Sequence, residues 1–154
     1  MLKETNPVGV VVDVNSGLCL NLALRKSNRL ITQFYDDKFA VLGIRVGQFS
    51  ILRAVSHCKV TTNKELQHIL VIEQTTLTRN LKPLIRDGLL SLTASAEDQR
   101  VKEIRFTKKG EALYKKALPI WEQTQSEMIK RLGKDEAEKI MSLSQSIVEE
   151  FAVS

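Results

Sequence analysis

The sequence predicts a mainly α-helical (α+β) protein with one small hairpin. Apolar residues recur at helical spacing along most of the chain, and two β-prone segments, 89–93 and 101–106, interrupt that pattern. The composition is that of an ordinary globular protein, since 43% of the 154 residues are hydrophobic and 27% are charged. The longest apolar runs, 8–12 and 40–44, are far shorter than the roughly 20 residues that cross a bilayer. We therefore expect a globular protein without a membrane partner.

Caps and helix-breaking residues delimit six expected helices. The first is apolar on several faces, which predicts burial on several sides. The third begins with Thr62-Asn63-Lys64-Glu65, which has the form of a capping box, and the fourth ends at Asp87-Gly88. The six helices cover about residues 18–38, 46–57, 62–70, 73–87, 108–132 and 134–151. Residues 1–15 form an N-terminal arm. Two alternatives are open for it: a short strand, or a strap that joins the subunits of a dimer.

The third and fourth helices and the hairpin after them have the order of a winged helix-turn-helix. In that motif the second helix enters the major groove of DNA and the wing contacts the backbone or the minor groove. The outward face of the fourth helix carries hydroxyls, amides and Arg79, which can reach phosphates or base edges. A solvated polar face is the alternative. The DNA-binding candidates on both helices and the wing are Thr62, Asn63, Gln74, Thr75, Thr76, Thr78, Arg79, Lys82, Asp98, Arg100 and Lys102.

The charge distribution agrees with a nucleic-acid partner. The net charge is +5, and residues 59–110 carry 10 basic and 6 acidic side chains, whereas residues 111–154 carry 6 and 8. Glu73 departs from the pattern, because it caps a helix less well than Ser or Asp and places a negative charge near phosphates.

Several motifs together resemble the MarR-type transcriptional regulators. They include Asp98-Gln99-Arg100 followed by a strand, Thr107-Lys108-Lys109-Gly110 after it, and Asp87-Gly88-Leu89-Leu90 before it. Gly43-Ile44-Arg45, the helix segment 75–79 and Leu118-Pro119-Ile120-Trp121 also fit, so the resemblance covers nearly the whole chain. It implies that Arg100 enters the minor groove and that Asp98 orients a basic side chain.

The resemblance further implies an obligate homodimer on a pseudo-palindromic operator. Its two recognition helices would lie about one DNA turn, roughly 34 Å, apart. Residues 16–40 and 111–154 would form the helical dimerisation region, and residues 41–110 the DNA-binding domain. The apolar first and last helices support this expectation, because one small winged domain could not cover them.

MarR-type proteins commonly release DNA when a small aromatic ligand binds or when a cysteine is oxidised. Cys19, near the start of the first helix, is a candidate redox sensor, and a buried structural thiol is the alternative. Cys58 is interpreted as a packing residue. The candidates for a ligand cleft, which are cationic or aromatic, are Arg25, Arg29, His57, Tyr114 and Trp121.

Catalytic and metal chemistry find no support in the sequence. There is no Gly-rich phosphate loop and no Ser-His-Asp order. Cys19, His57, Cys58 and His68 show no metal-ligand spacing, so we expect neither a metal nor a cofactor.

Free thiols without a secretory signal indicate a cytoplasmic protein. The leading hypothesis is a homodimeric DNA-binding regulator, usually a repressor; the alternative is a winged-helix protein-interaction module.

Overall fold

The structure, a computed structural model, describes residues 4–5, 11–12 and 19–152. The helices are α1 (Leu20–Phe39), α2 (Val46–Cys58), α3 (Asn63–Leu70), α4 (Gln74–Arg86), α5 (Lys108–Leu132) and α6 (Lys134–Phe151), with a 3₁₀ turn at Ala40–Leu42. The strands are β1 (Glu4–Thr5), β2 (Val11–Val12), β3 (Val60–Thr62), β4 (Leu90–Ala94) and β5 (Lys102–Phe106). The six helices agree with the sequence prediction to within one or two residues. The mainly α (α+β) class is therefore confirmed.

The chain divides into two compact units, Met1–Phe34 and Tyr35–Ser154. In the first unit, β1 pairs antiparallel with β2, with Glu4 opposite Val12. The rest of the predicted arm, residues 1–3, 6–10 and 13–15, lies outside the described residues. The leucines of α1 in this unit, such as Leu20 and Leu30, are exposed rather than buried on several sides. The burial that the sequence predicted for this helix is therefore not found within the first unit.

The second unit holds a three-stranded antiparallel sheet in the order β3-β5-β4. Leu90 lies opposite Phe106 in the predicted hairpin, and Thr61 lies opposite Ile104. The sequence analysis missed β3. A three-residue strand between two helices is too short to show alternation, and its pairing partner is more than 40 residues away in sequence.

Local hydrogen bonds hold the helix-turn-helix as expected. The Thr62 hydroxyl accepts from the backbone N–H of Glu65, and the Glu65 carboxylate accepts from the backbone N–H of Thr62, which completes the capping box. The turn passes through Val71, whose φ of 51° is unusual for a β-branched residue. Glu73 precedes α4 without a side-chain capping hydrogen bond, as its residue type predicted.

A tight junction joins α4, the wing and α5. The Thr107 hydroxyl donates to the Gly88 carbonyl at 2.5 Å and accepts from the Gly110 N–H at 3.0 Å, so it also caps α5. A Cβ on Gly110 would lie 1.8 Å from the Leu89 carbonyl oxygen. The base of the wing is therefore pressed against the first turn of α5 at a position that only glycine fits.

Aromatic rings form the part of the core that lies between α2 and α5. Phe49 stacks on Phe39 at 4.8 Å between ring centroids, on Tyr114 at 5.9 Å and on Trp121 at 6.2 Å. On the predicted inner stripe of α5, Ala117 is buried, as expected. Within α6, by contrast, no residue is buried.

Length and apolar content decide whether a helix of the described residues could span a bilayer. No single helix there is long and apolar enough to cross a bilayer, and one bent pair, Leu20–Leu42 with Val46–Cys58, meets the requirement by length and composition alone.

Candidate nucleic-acid interface

The fourth helix separates an apolar face from a polar one. Leu77, Leu81 and Leu84 are buried, and their spacing holds one side of α4 against the rest of its unit. The opposite side is open to solvent. All the predicted DNA-contacting residues of this helix are exposed: Gln74, Thr75, Thr76, Thr78, Arg79 and Lys82.

Asn80 does not belong to this exposed face, although the sequence analysis grouped amides with it. Its side chain is half-buried, and its Nδ2 donates to the Thr76 carbonyl at 3.0 Å. Its Oδ1 lies 3.4 Å from the position that a Cβ on Gly47 would take. Asn80 thus packs α4 against the start of α2, and the missing side chain at Gly47 was the signal for this contact.

Of the two predicted DNA-binding residues at the start of α3, one has a side chain that is accessible and the other has a side chain that is already hydrogen-bonded. The hydroxyl of Thr62 is committed to the capping box, since it accepts the Glu65 N–H at 3.3 Å. Asn63 is exposed and lines a groove together with Thr78 and Lys82 of α4. The structure therefore brings three of the predicted DNA-binding residues to one groove between the two helices.

The wing tip is organised by Asp98. Its carboxylate accepts hydrogen bonds from the backbone N–H of Arg100 at 3.0 Å and from the Arg100 side chain at 3.2 and 3.3 Å. The hydrogen bond from Arg100 holds the pKa of Asp98 below its ordinary value. The Arg100 side chain is nevertheless 91% exposed, so its guanidinium is positioned but accessible.

Sequence reasoning missed the residue that closes the wing loop. Ser95 is buried, donates its N–H to the Val101 carbonyl at 2.8 Å, and accepts the Glu97 N–H on its hydroxyl at 3.3 Å. Lys102, at the start of β5, is exposed and lies opposite Ala94. The sequence showed a polar loop here, but nothing in it indicated that its serine turns inward.

The residues predicted for a ligand cleft are distributed over several environments. Arg25 and Arg29 are exposed on α1, in the first unit. His57 is exposed, with its Nδ1 2.8 Å from the Arg53 carbonyl oxygen. Tyr114 and Trp121 both stack on Phe49, and the Arg53 guanidinium lies 4.0 Å from the centre of the Trp121 ring. Within the second unit, Tyr114 and Trp121 thus share Phe49 as a neighbour, and His57 and Trp121 share Arg53.

Both cysteines are exposed. The packing role predicted for Cys58 is therefore wrong, and so is the buried alternative for Cys19. Each lies at a helix end, where few neighbours cover it: the Cys19 carbonyl accepts the N–H of Ala23 at the start of α1, and Cys58 is the last residue of α2. Within 19–152, no group of three or more His, Cys, Asp or Glu side chains could hold a metal ion.

The arrangement of α3, α4 and the wing is shared with known regulators. A family model described as transcriptional regulator SarA/Rot matches residues 33–117, which is more than half of the chain. The protein belongs to the SarA/Rot family of transcriptional regulators. The matched residues run from the end of α1 into α5, so they include the whole helix-turn-helix and the wing.

Individual relatives of this SarA/Rot protein agree. An uncharacterized HTH-type transcriptional regulator of Staphylococcus aureus strain Mu50 is 39% identical over 71 residues, 46% of this chain and 49% of the relative. The chain thus spans about half the length of the curated relatives it matches. The transcriptional regulator MOSR of M. tuberculosis, solved in complex with DNA, is 36% identical, with a TM-score of 0.72 over 83% of this chain and 95% of that one.

The fold is that of the MarR-type regulators, as the sequence predicted. A MarR mutant from E. coli, solved with operator DNA, superimposes with a TM-score of 0.75 at 22% identity, covering 83% of this chain and 92% of that one. The family and the fold are those of transcriptional regulators rather than of enzymes.

Proposed function

We propose that this SarA/Rot protein is a cytoplasmic homodimer that binds a pseudo-palindromic operator in double-stranded DNA and represses transcription until a small ligand or oxidation releases it. The observation that carries the proposal is the exposed polar face of α4 beside the accessible guanidinium of Arg100. The structural relatives described as bound to DNA support it.

Each part of the DNA-binding surface has a distinct task. The polar face of α4 enters the major groove, where Arg79 has the fork of donors that guanine accepts. A groove on the protein surface is lined by Asn63, Thr78 and Lys82. These three side chains contact the DNA phosphates at the edge of the major groove. Arg100 enters the minor groove, whose negative potential favours an exposed guanidinium.

The apolar surface left open on the chain supports the dimer. Leu20 and Leu30 on α1 are 73% and 70% exposed, and Leu143 and Phe151 on α6 are 65% and 81% exposed. A monomer rarely leaves this much apolar side chain in contact with water. A second copy that covers both helices would place two recognition helices on one operator.

Two triggers for release are proposed. Cys19 is exposed, so an oxidant can reach its thiol. A small aromatic ligand is the second trigger.

The test is fluorescence anisotropy of the purified protein on the duplex upstream of its own gene, with unlabelled random duplex in excess. We expect competitor-resistant binding whose affinity falls steeply with salt, because several phosphates are contacted. Arg100→Ala should weaken the complex by about tenfold or more, as loss of a charged contact does. Arg131→Ala, which removes an exposed arginine from another carboxylate pair at the end of α5, is the matched control and should not change affinity.

The outcomes separate the parts of the proposal. Equal affinities of Arg100→Ala and the wild-type protein would remove the wing from the mechanism. If the random duplex displaces the labelled fragment, the next experiment is a selection of bound fragments from whole genomic DNA. If that selection also yields no specific fragment, the result would favour a winged-helix protein-interaction module. Reversible loss of binding after mild peroxide in the wild-type protein, but not in Cys19→Ser, would establish the redox trigger.

A further inference from the structure

A carboxylate lies in the central strand of the sheet that carries the wing. Glu103 is in β5, opposite Thr62 of β3 and Thr93 of β4. The next residue, Ile104, is buried, so the alternation of side chains along the strand places Glu103 on the other face of the sheet. A negative charge here opposes the attraction of the wing for DNA phosphates. Any benefit of Glu103 to DNA binding must therefore come from its contacts within the protein.

Two side chains donate hydrogen bonds to the Glu103 carboxylate, those of Arg105 and Ser95. The Arg105 guanidinium, two residues further along the strand and thus on the same face, donates at 2.6 Å. The hydrogen bond from Arg105, followed by the one from Ser95, holds the pKa of Glu103 below its ordinary value. The Glu103 side chain is only 24% exposed. An ionised, half-buried carboxylate therefore joins β5 to the residue that follows β4.

Ser95 uses this hydrogen bond to close the wing loop, residues 95–101. Its hydroxyl has a single proton, so donation to Glu103 leaves the oxygen lone pairs for the N–H of Glu97, which it accepts at 3.3 Å. The N–H of Ser95 donates to the Val101 carbonyl at 2.8 Å, across the base of the loop. Because Ser95 is buried, water does not compete freely for these groups. The orientation of the Ser95 hydroxyl thus depends on Glu103.

The closed loop in turn sets the position of Arg100. The N–H of Val101 donates to the backbone carbonyl of Asp98 at 2.9 Å, and the Asp98 carboxylate accepts from Arg100. A path of hydrogen bonds therefore runs from Glu103 through Ser95, Val101 and Asp98 to the exposed guanidinium at the tip.

We propose that Glu103 is a positioning residue for DNA binding: it holds Ser95, and through the closed wing loop it presents Arg100 to the minor groove. This inference rests on the proposed function and assigns a further residue to it. Two effects of removing Glu103 have opposite signs. Loss of its negative charge would tighten the complex with phosphates, whereas loss of its hold on the loop would weaken the complex. The sign of the measured change therefore separates positioning from simple electrostatics.

Anisotropy titrations compare Glu103→Ala with Glu97→Ala on the duplex that the wild-type protein binds specifically. Both variants remove one carboxylate from the wing. Glu97 is exposed, and it is its backbone N–H that bonds to Ser95. We expect Glu103→Ala to weaken binding about threefold or more, and Glu97→Ala to leave it unchanged or tighten it. Ser95→Ala is a second variant, which changes no charge and should also weaken binding.

The same titrations in an Arg100→Ala background show whether Glu103 acts through Arg100. If it does, Glu103→Ala should no longer weaken binding once Arg100 is absent. A general loss of stability would instead weaken binding by the same factor in both backgrounds, because independent effects add.

Amide hydrogen exchange in the DNA-free protein, followed by NMR, tests the hold on the loop directly. We expect Glu103→Ala to speed exchange about threefold or more at the N–H groups of Ser95 and Val101, which close the loop. Glu97→Ala should not change these rates. The N–H of Gly110, which donates to the Thr107 hydroxyl at the start of α5, is the internal reference for global unfolding.

Four results would overturn the proposal: tighter DNA binding by Glu103→Ala, equal effects of the two glutamate variants, an equal loss in both Arg100 backgrounds, or unchanged exchange at Ser95 and Val101. A wild-type protein that binds no DNA specifically would instead refute the proposed function. The exchange experiment would then still report whether Glu103 closes the wing loop, so the two failures are distinguishable.

Discussion

Asp98 holds Arg100 through three hydrogen bonds, one from the backbone N–H and two from the guanidinium. Asp98 and Arg100 lie two residues apart at the tip of the wing, so the carboxylate shapes the turn and orients the cation at the same time. Because the arginine side chain remains 91% exposed, the pair is open to a third, anionic partner. This relationship gives a physical basis to the Asp-x-Arg pattern that the sequence shows.

The first prediction concerns the pKa of Asp98. The hydrogen bond from the Arg100 side chain is the largest cause that lowers it below 3.8, so Arg100→Ala should raise it toward that value. Since the folded-state pKa is lowered, any stabilisation from the pair is present above the unfolded-state pKa. It is lost only as the pH falls through the lowered value. The pair therefore stays ionised at neutral pH.

NMR titration of the carboxyl carbons measures this shift. Asp87 is the internal control, because its pKa is lowered by Arg86 and should not respond to the change at Arg100. An Asp98 pKa that is the same in the variant and the wild-type protein would contradict the structure of the wing tip.

The second prediction separates base contact from phosphate contact on α4. Both Arg79 and Lys82 are exposed on its polar face. If Arg79 forks onto a guanine, Arg79→Ala should cost roughly 1–3 kcal/mol on the operator and much less on random DNA. Lys82→Ala is the comparison, and it should weaken both complexes alike. Anisotropy titrations on the two duplexes provide the measurement, and equal losses for Arg79→Ala would make it a phosphate contact.

Sequence reasoning succeeded where the determinants are local. The capping box at Thr62 and Glu65 and the break at Gly88 each depend on neighbouring residues, and the structure confirms the helix ends that they predicted. The polar face of α4 could be predicted for the same reason, because helical periodicity alone separates it from the buried leucines.

Features that depend on distant residues were missed. Strand β3 exists because it pairs with β5, and Asn80 turns inward because Gly47 leaves room for it. The predicted ligand cleft stays a prediction. Tyr114 lines a groove together with Lys59, Arg105 and Lys115, which lie on elements whose proximity no local pattern reveals.

The third prediction compares two helical glycines. Gly110→Ala would place a Cβ 1.8 Å from the Leu89 carbonyl oxygen, so the wing or α5 must move. We expect a loss of stability of about 3 kcal/mol or more, since overpacking against backbone is seldom absorbed. Gly47→Ala is the matched control: the nearest atom to its Cβ is 3.4 Å away, and alanine favours the helix by roughly 0.5–1 kcal/mol.

Urea unfolding monitored by circular dichroism checks both glycine variants. A Gly110→Ala protein as stable as the Gly47→Ala protein would show that the junction of the wing and α5 is looser than the structure indicates.

The fourth prediction concerns α6, which has no buried residue in the single chain. Although α6 has 18 residues, none is buried, and Ile140, Leu143 and Ile147 recur on one side of it. If a second copy covers this side, Leu143→Glu should place a charge in the interface and convert the dimer to a monomer near 17.4 kDa. Ser142→Glu adds the same charge on the other side of the helix and should leave the dimer intact.

Size-exclusion chromatography with light scattering gives the mass of each variant, and circular dichroism reports whether α6 remains helical. A dimer that persists in Leu143→Glu at low micromolar concentration would show that α6 is not the interface. The exposed leucines of α1 would then be the surface to substitute. A wild-type protein with the mass of one chain would instead contradict the proposed homodimer, and the same operator would have to be read by one recognition helix, with affinity reduced accordingly.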